Sequence, residues 1–141
     1  TLNGLPVANA VEPRKRPRSS MSPTIVTDRN GQLVLVTGSP GGSAIIARVA
    51  RATIGILDWN LSVHDALAIS NVTADAAPEY VEGARMPSGV SNALRARGWN
   101  LQEATSDDDG PNAIRVTAAG LDGGANPRGE GVVGCLQAPA N

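Results

Sequence analysis

The sequence predicts an α+β fold, with strands and helices grouped in layers, on three observations. Two β-branched runs flank an Asn-Gly pair near the N-terminus, segments of helical periodicity with their own start and stop signals follow, and the last third returns to strand-like stretches broken by glycine. Grouping of this kind favours α+β layers over a regular βαβ alternation. At 141 residues a single domain over 1–141 is expected, large enough to bury roughly two-thirds of its unfolded surface.

The first twenty-two residues carry Pro6, Pro13 and Pro17 around the basic cluster Arg14, Lys15, Arg16 and Arg18. They show no periodicity, so residues 1–22 are expected to be an extended arm or loop. Pro23 to Asp28, then Arg29-Asn30-Gly31, then Gln32 to Thr37 read as a hairpin, because Asn-Gly supplies the positive φ values that a tight hairpin turn needs. Leu33 to Val36 is apolar at four successive positions, which predicts a strand covered on both faces. After Gly38-Ser39-Pro40-Gly41-Gly42-Ser43, the apolar spacing from Ala44 to Leu57 predicts a helix closed by Asp58-Trp59-Asn60. Ser62 and Asp65 stand at capping-box spacing and predict a second helix over about Val63 to Ser70. A third opens at Pro87-Ser88 and runs to about Arg97, where Gly98 stops it. Asn100 to Ala104, Ala113 to Ala118 and Gly131 to Leu136 read as short strands, with Gly120 to Gly124 as glycine-rich turns. No internal repeat is present.

Composition removes several classes of function. Apolar residues at 41% and charged residues at 18% exclude disorder throughout. Twelve Lys and Arg against thirteen Asp and Glu leave a net charge of -1, so no protein-wide basic field exists to hold nucleic acid or an anionic membrane. The aromatic residues are Trp59, Trp99 and Tyr80, too few for a base-stacking platform. Cys135 is the only cysteine, which forbids an internal disulfide and a multi-cysteine zinc site. No apolar run is long enough for a helix to span a bilayer, and the first residues lack a signal-peptide pattern, so a soluble chain without membrane insertion is expected.

Among possible sites, Gly38 to Ser43 is the most informative. Two adjacent glycines between a strand and a helix let backbone N–H groups converge on an anion or oxyanion without side-chain obstruction. The same residues also suit a plain tight turn. A Walker loop is excluded, since Lys15 is the only lysine, and Ser39 lacks the Gly-x-Ser-x-Gly spacing of a nucleophile elbow. Ser19 and Ser20, at a strand entrance, have hydroxyls that could donate to a carboxylate or simply shape a loop. The basic cluster, interrupted by Pro17, reads as a solvated loop or an interface. His64, the only histidine, has no implied triad partner and is expected on a helix surface. Asp107-Asp108-Asp109-Gly110 lacks the alternating ligands and closing Glu of an EF-hand and reads as a polar loop. Asn60-Leu61-Ser62 and Asn71-Val72-Thr73 match the glycosylation acceptor pattern, which has meaning only in a eukaryotic secretory protein.

Taken together, Lys15-Arg-Pro-Arg-Ser-Ser-Met-Ser-Pro-Thr-Ile-Val26 and Val36-Thr-Gly-Ser-Pro-Gly-Gly-Ser43 resemble, in order and separation, two signature blocks of the gamma-glutamyltransferase small subunit. Gly123-Gly-Ala-Asn-Pro-Arg-Gly-Glu-Gly131 is similar to the family's closing segment, with Asn126 where Asp is common. The middle of the chain, from about Ile69 to Asp109, carries no such likeness.

The resemblance implies part of an N-terminal nucleophile hydrolase αββα sandwich, incomplete in this chain and matured by autocatalytic cleavage into large and small subunits. It implies acyl transfer: a threonine attacks a gamma-glutamyl amide such as glutathione, and water or the amine of an amino acid or peptide takes the acyl group. On the matching positions it implies that Gly41 and Gly42 donate to the oxyanion and that Ser19 and Ser20 bind the substrate's α-carboxylate. No cofactor is implied. A periplasmic or extracellular address and a large-subunit partner from the same precursor are implied as well. The family's threonine opens a Thr-Thr-His-like segment well upstream of the Lys-Arg-Pro block, whereas Thr1 is followed by Leu-Asn-Gly and reads as an accident of where the chain begins. The chain is therefore expected to be the C-terminal portion of a small subunit, inactive alone and prone to self-association. A non-catalytic binding relative and an acylase with another acyl group are the alternatives.

Overall fold

The computed structural model describes residues 4, 7–73, 79–104 and 109–135. Thr1, Pro6, Asp107, Asp108 and Leu136, named above, lie outside them.

Strands β1 (Thr24–Thr27) and β2 (Leu33–Gly38) form the expected antiparallel hairpin. Its turn is tied by Asp28, whose carboxylate accepts the amides of Asn30 and Gln32, each at 2.8 Å. Helix α1 (Ile45–Leu57) follows through a single 3-10 turn at Gly42–Ala44, and α2 (Val63–Ala68) follows α1. The Ser62 hydroxyl accepts the Asp65 amide at 3.1 Å, as the capping-box spacing predicts. α2 stops at Ala68, short of the expected Ser70. Ile69 leaves helical geometry there, and the Ser70 hydroxyl donates instead to the Glu82 carbonyl at 3.0 Å.

Next come the short strands β3 (Val72–Thr73) and β4 (Glu79–Val81), helix α3 (Ser88–Ala96) and strand β5 (Leu101–Glu103). The pairing β3-β4-β5 makes a small second sheet, with β4 and β5 parallel. The chain then returns through β6 (Asn112–Thr117) and β7 (Gly120–Gly124) to complete an antiparallel sheet of order β1-β2-β6-β7.

Two expectations about the last third are corrected. Gly120 to Gly124 is a strand in register with β6, since Ala113 pairs with Gly124 and Thr117 with Gly120. Its glycines leave room for α2: a Cβ on Gly124 would stand 2.7 Å from Val63 Cγ1 and 2.9 Å from Leu67 Cδ1. Residues 131–135, by contrast, form no strand, and Val132 and Val133 are exposed.

α1 and α2 pack on one face of the four-stranded sheet. Leu35, Ala52, Ile56, Val63, Ala66, Leu67 and Ala113 form the buried cluster there. Removing a side chain such as Leu35 or Ile56 from water stabilises the layer by roughly 1.5–3 kcal/mol. The other face differs from the expectation for β2. Val36 pairs with Ile25 on one side and Ile114 on the other, and all three are exposed. Among the described residues, β2 is thus covered on one side.

Candidate active-site corner

The candidate site lies where β2 ends. The 3-10 turn that leads into α1 begins at Gly41 without a side-chain cap, and the first amides of a helical turn have no intrahelical acceptor. Gly41 sits at φ 120 and Gly42 at φ 56, values that L side chains rarely adopt. A Cβ on Gly41 would also fall 1.7 Å from Arg48 Nη1. Gly41 is half-buried and Gly42 exposed, so the corner is open to a ligand at its tip.

The two predicted blocks meet here. Ser20, half-buried, donates from Oγ to the Gly42 carbonyl at 2.5 Å. Ser19 is exposed, and its Oγ accepts the Met21 amide at 3.2 Å. The arm before them has no regular secondary structure among its described residues. It is held by short-range contacts such as Arg18 N to Asn9 Oδ1 at 2.6 Å.

Behind the corner, Arg48 is buried on α1, and its Nη1 donates to the Pro40 carbonyl at 3.2 Å. The Asp109 carboxylate stands 3.8 Å from that nitrogen. Arg48 belongs to none of the sequence motifs above. Its place in an otherwise apolar stretch of α1, three residues past the helix start, was the only available signal. A cleft of about 170 Å3 lies beyond it, lined by Ala44, Arg48, Asn71, Tyr80 and Glu82 among others.

Glu82 anchors a buried ionic cluster at the edge of that cleft. Arg128, its side chain 3% exposed, grips both Glu82 oxygens and donates to the carbonyls of Leu67 at 2.8 Å and Ile69 at 2.9 Å. Burial pushes the Glu82 carboxyl up, but hydrogen bonds from Arg128 and the Asn71 amide, with the charges of Arg128 and Arg85, outweigh it and hold the group below its usual value. The cluster joins the end of α2 to the loop after β4.

Other predicted positions stand apart from this site. His64 is exposed on α2, and Cys135 is exposed. Asn71 is buried and its Oδ1 accepts Arg51 Nη2 at 2.9 Å, so it offers no surface for a glycan. Asn60 is exposed and accepts from Arg115. Among the described residues no three metal-ligating side chains cluster, and no helix is long and apolar enough to cross a membrane. A wider groove of about 600 Å3 runs over the open sheet face, past Val36, Gly38, Ile114 and Val133, and includes none of Ser19, Ser20, Gly41 or Gly42.

Comparison with known proteins gives a consistent result. The family model for gamma-glutamyltranspeptidase matches residues 2–136. A glutathione hydrolase proenzyme of Pseudomonas aeruginosa is 38% identical over 129 residues, which cover 89% of this chain and 23% of that relative's length. The gamma-glutamyltranspeptidase of Pseudomonas nitroreducens, solved in complex with L-DON, aligns at TM-score 0.81 and 35% identity over 93% of this chain and 69% of that chain. The T380A mutant of Helicobacter pylori gamma-glutamyltranspeptidase aligns at TM-score 0.75 and 35% identity, over 90% of this chain and 72% of that chain. These structures carry the N-terminal nucleophile hydrolase fold, of which the chain is a part.

Proposed function

The chain belongs to the gamma-glutamyltranspeptidase family, and from that premise we propose that it is the C-terminal portion of a small subunit, supplying the oxyanion corner and the carboxylate-binding serines of an enzyme that hydrolyses or transfers gamma-glutamyl groups. The whole protein acts on glutathione or related amides, pairs this portion with a large subunit from the same precursor, matures by autocatalytic cleavage and works in the periplasm or outside the cell. The chain alone, without the attacking threonine, is inactive.

In the reaction the threonine oxygen bonds to the gamma-carbonyl carbon while its proton passes to a base, and the carbonyl oxygen takes the negative charge. Gly41 and Gly42 donate their amides to that oxygen, where losing one such donor costs about 3 kcal/mol of barrier. Collapse breaks the C–N bond, the amine leaves with the proton that the base took up, and a gamma-glutamyl ester remains. Water or an acceptor amine then attacks it through the same charged state. Ser19 and Ser20 fix the other end of the donor by its α-carboxylate.

One observation carries this reading: the Ser20 hydroxyl bonds to Gly42, so the two blocks that matched the family in sequence form one corner in space. Release of aniline from a gamma-glutamyl anilide by the complete protein tests it. Turnover is expected, and a complete protein with its threonine in place that released nothing would overturn the assignment.

A further inference from the structure

We propose that Arg48 is a positioning residue for the oxyanion corner: by holding the Pro40 carbonyl, its guanidinium fixes the Pro40–Gly41 peptide plane and thereby aims the Gly41 amide. This rests on the reading of Gly41 as an oxyanion donor. A trans peptide is planar, and its C=O and N–H point in opposite directions. The hydrogen bond from Arg48 Nη1 to Pro40 O at 3.2 Å therefore turns the Gly41 N–H away from the guanidinium. The next plane is held by backbone alone, since the Ala44 amide donates to Gly41 O at 3.2 Å and so orients the Gly42 N–H. Of the two donors, the one at Gly41 depends on a distant side chain.

Three further observations fit this role. Arg48 is 7% exposed, so its donor is not competing freely with water. Its Nη1 and Cζ fill the space beside Gly41 Cα, where a Cβ would come within 1.7 Å and 2.9 Å of them. The corner thus closes on the guanidinium with no room for a side chain between. Asp109 stands 3.8 Å from the same nitrogen and offsets its charge, so Arg48 acts by geometry more than by its field.

The test uses the complete, processed protein with Arg48→Lys and Arg48→Met, measured with a gamma-glutamyl anilide. Expected values of kcat fall in the order Arg, Lys, Met, by about 5-fold for lysine and on the order of 30-fold for methionine, somewhat less than outright removal of an oxyanion donor. KM for the donor stays within about 3-fold, because the ground-state carbonyl uses these amides less than the oxyanion does. A folded Arg48→Met protein with kcat near wild type, or a loss expressed wholly in KM, would overturn the proposal. If the methionine variant does not mature, the lysine variant decides, and wild-type kcat there overturns it. Failure of the wild-type protein to turn over any gamma-glutamyl donor strikes the functional reading instead, before Arg48 is tested.

Discussion

The Ser20 hydroxyl and the Gly42 carbonyl, 22 residues apart in the chain, meet at 2.5 Å. A hydroxyl has one proton to give, and here Ser20 gives it to the glycine corner. Ser19 is in the opposite state. Its oxygen accepts the Met21 amide, which leaves its proton for an incoming acceptor.

The paired serines are therefore expected to differ when mutated in the complete protein. Ser19→Ala should raise KM for the gamma-glutamyl donor about 10-fold or more, the worth of a hydrogen bond to a charged group at roughly 1.5–3 kcal/mol. Ser20→Ala should raise that KM less, because the Ser20 proton is shared with Gly42, and should also lower kcat by about 3–10-fold, since it loosens the corner by one neutral hydrogen bond of roughly 0.5–1.5 kcal/mol. Steady-state kinetics on both variants decides, and equal effects on KM alone would contradict this division.

The Glu82–Arg128 pair sets an acid limit on stability. Because the folded carboxyl lies below its ordinary value, its contribution is fully present above the unfolded pKa of about 4.3 and is lost as pH falls through the lower folded value. Thermal midpoints of the complete protein should drop over that window. Glu82→Gln should flatten the drop and lower stability at neutral pH, because the guanidinium of Arg128 is then buried without its counter-charge, a change that typically costs about 3–5 kcal/mol. An unchanged acid profile in the variant would remove Glu82 from this role.

The open sheet face gives a prediction about the chain by itself. Ile25, Val36 and Ile114 share one cross-strand row, and Leu121, paired with Val116 two residues further along β6, is 72% exposed. Exposed apolar surface of this kind favours association. Residues 1–141 alone should sediment as mixed oligomers, and Ile114→Lys should shift them toward monomer. A monodisperse wild-type monomer would count against an uncovered face.

The local elements and the corner were legible because their signals are local. Asn30-Gly31 marked the hairpin, Ser62 and Asp65 the start of α2, and the Pro40-Gly41-Gly42 run the turn that carries the candidate oxyanion donors. β7 was misread because glycine in a strand looks like a turn until a neighbour explains it. Val63 and Leu67 press on Gly124, and a side chain there would overlap them. The four apolar residues of β2 suggested two covered faces, yet one is open among the described residues.

By itself the sequence determined the first hairpin, the helices α1 to α3, the glycine corner and the serine pair, since each depends on residues within a few positions of one another. The tertiary structure alone decided that Ser20 reaches Gly42, that Arg48 lies under Gly41, and that Arg128 finds Glu82 across 46 residues. Such pairs carry no periodicity and no turn signal. They exist only after the packing of α1 and α2 on the sheet has brought distant side chains together and removed the water that would otherwise compete for their hydrogen bonds.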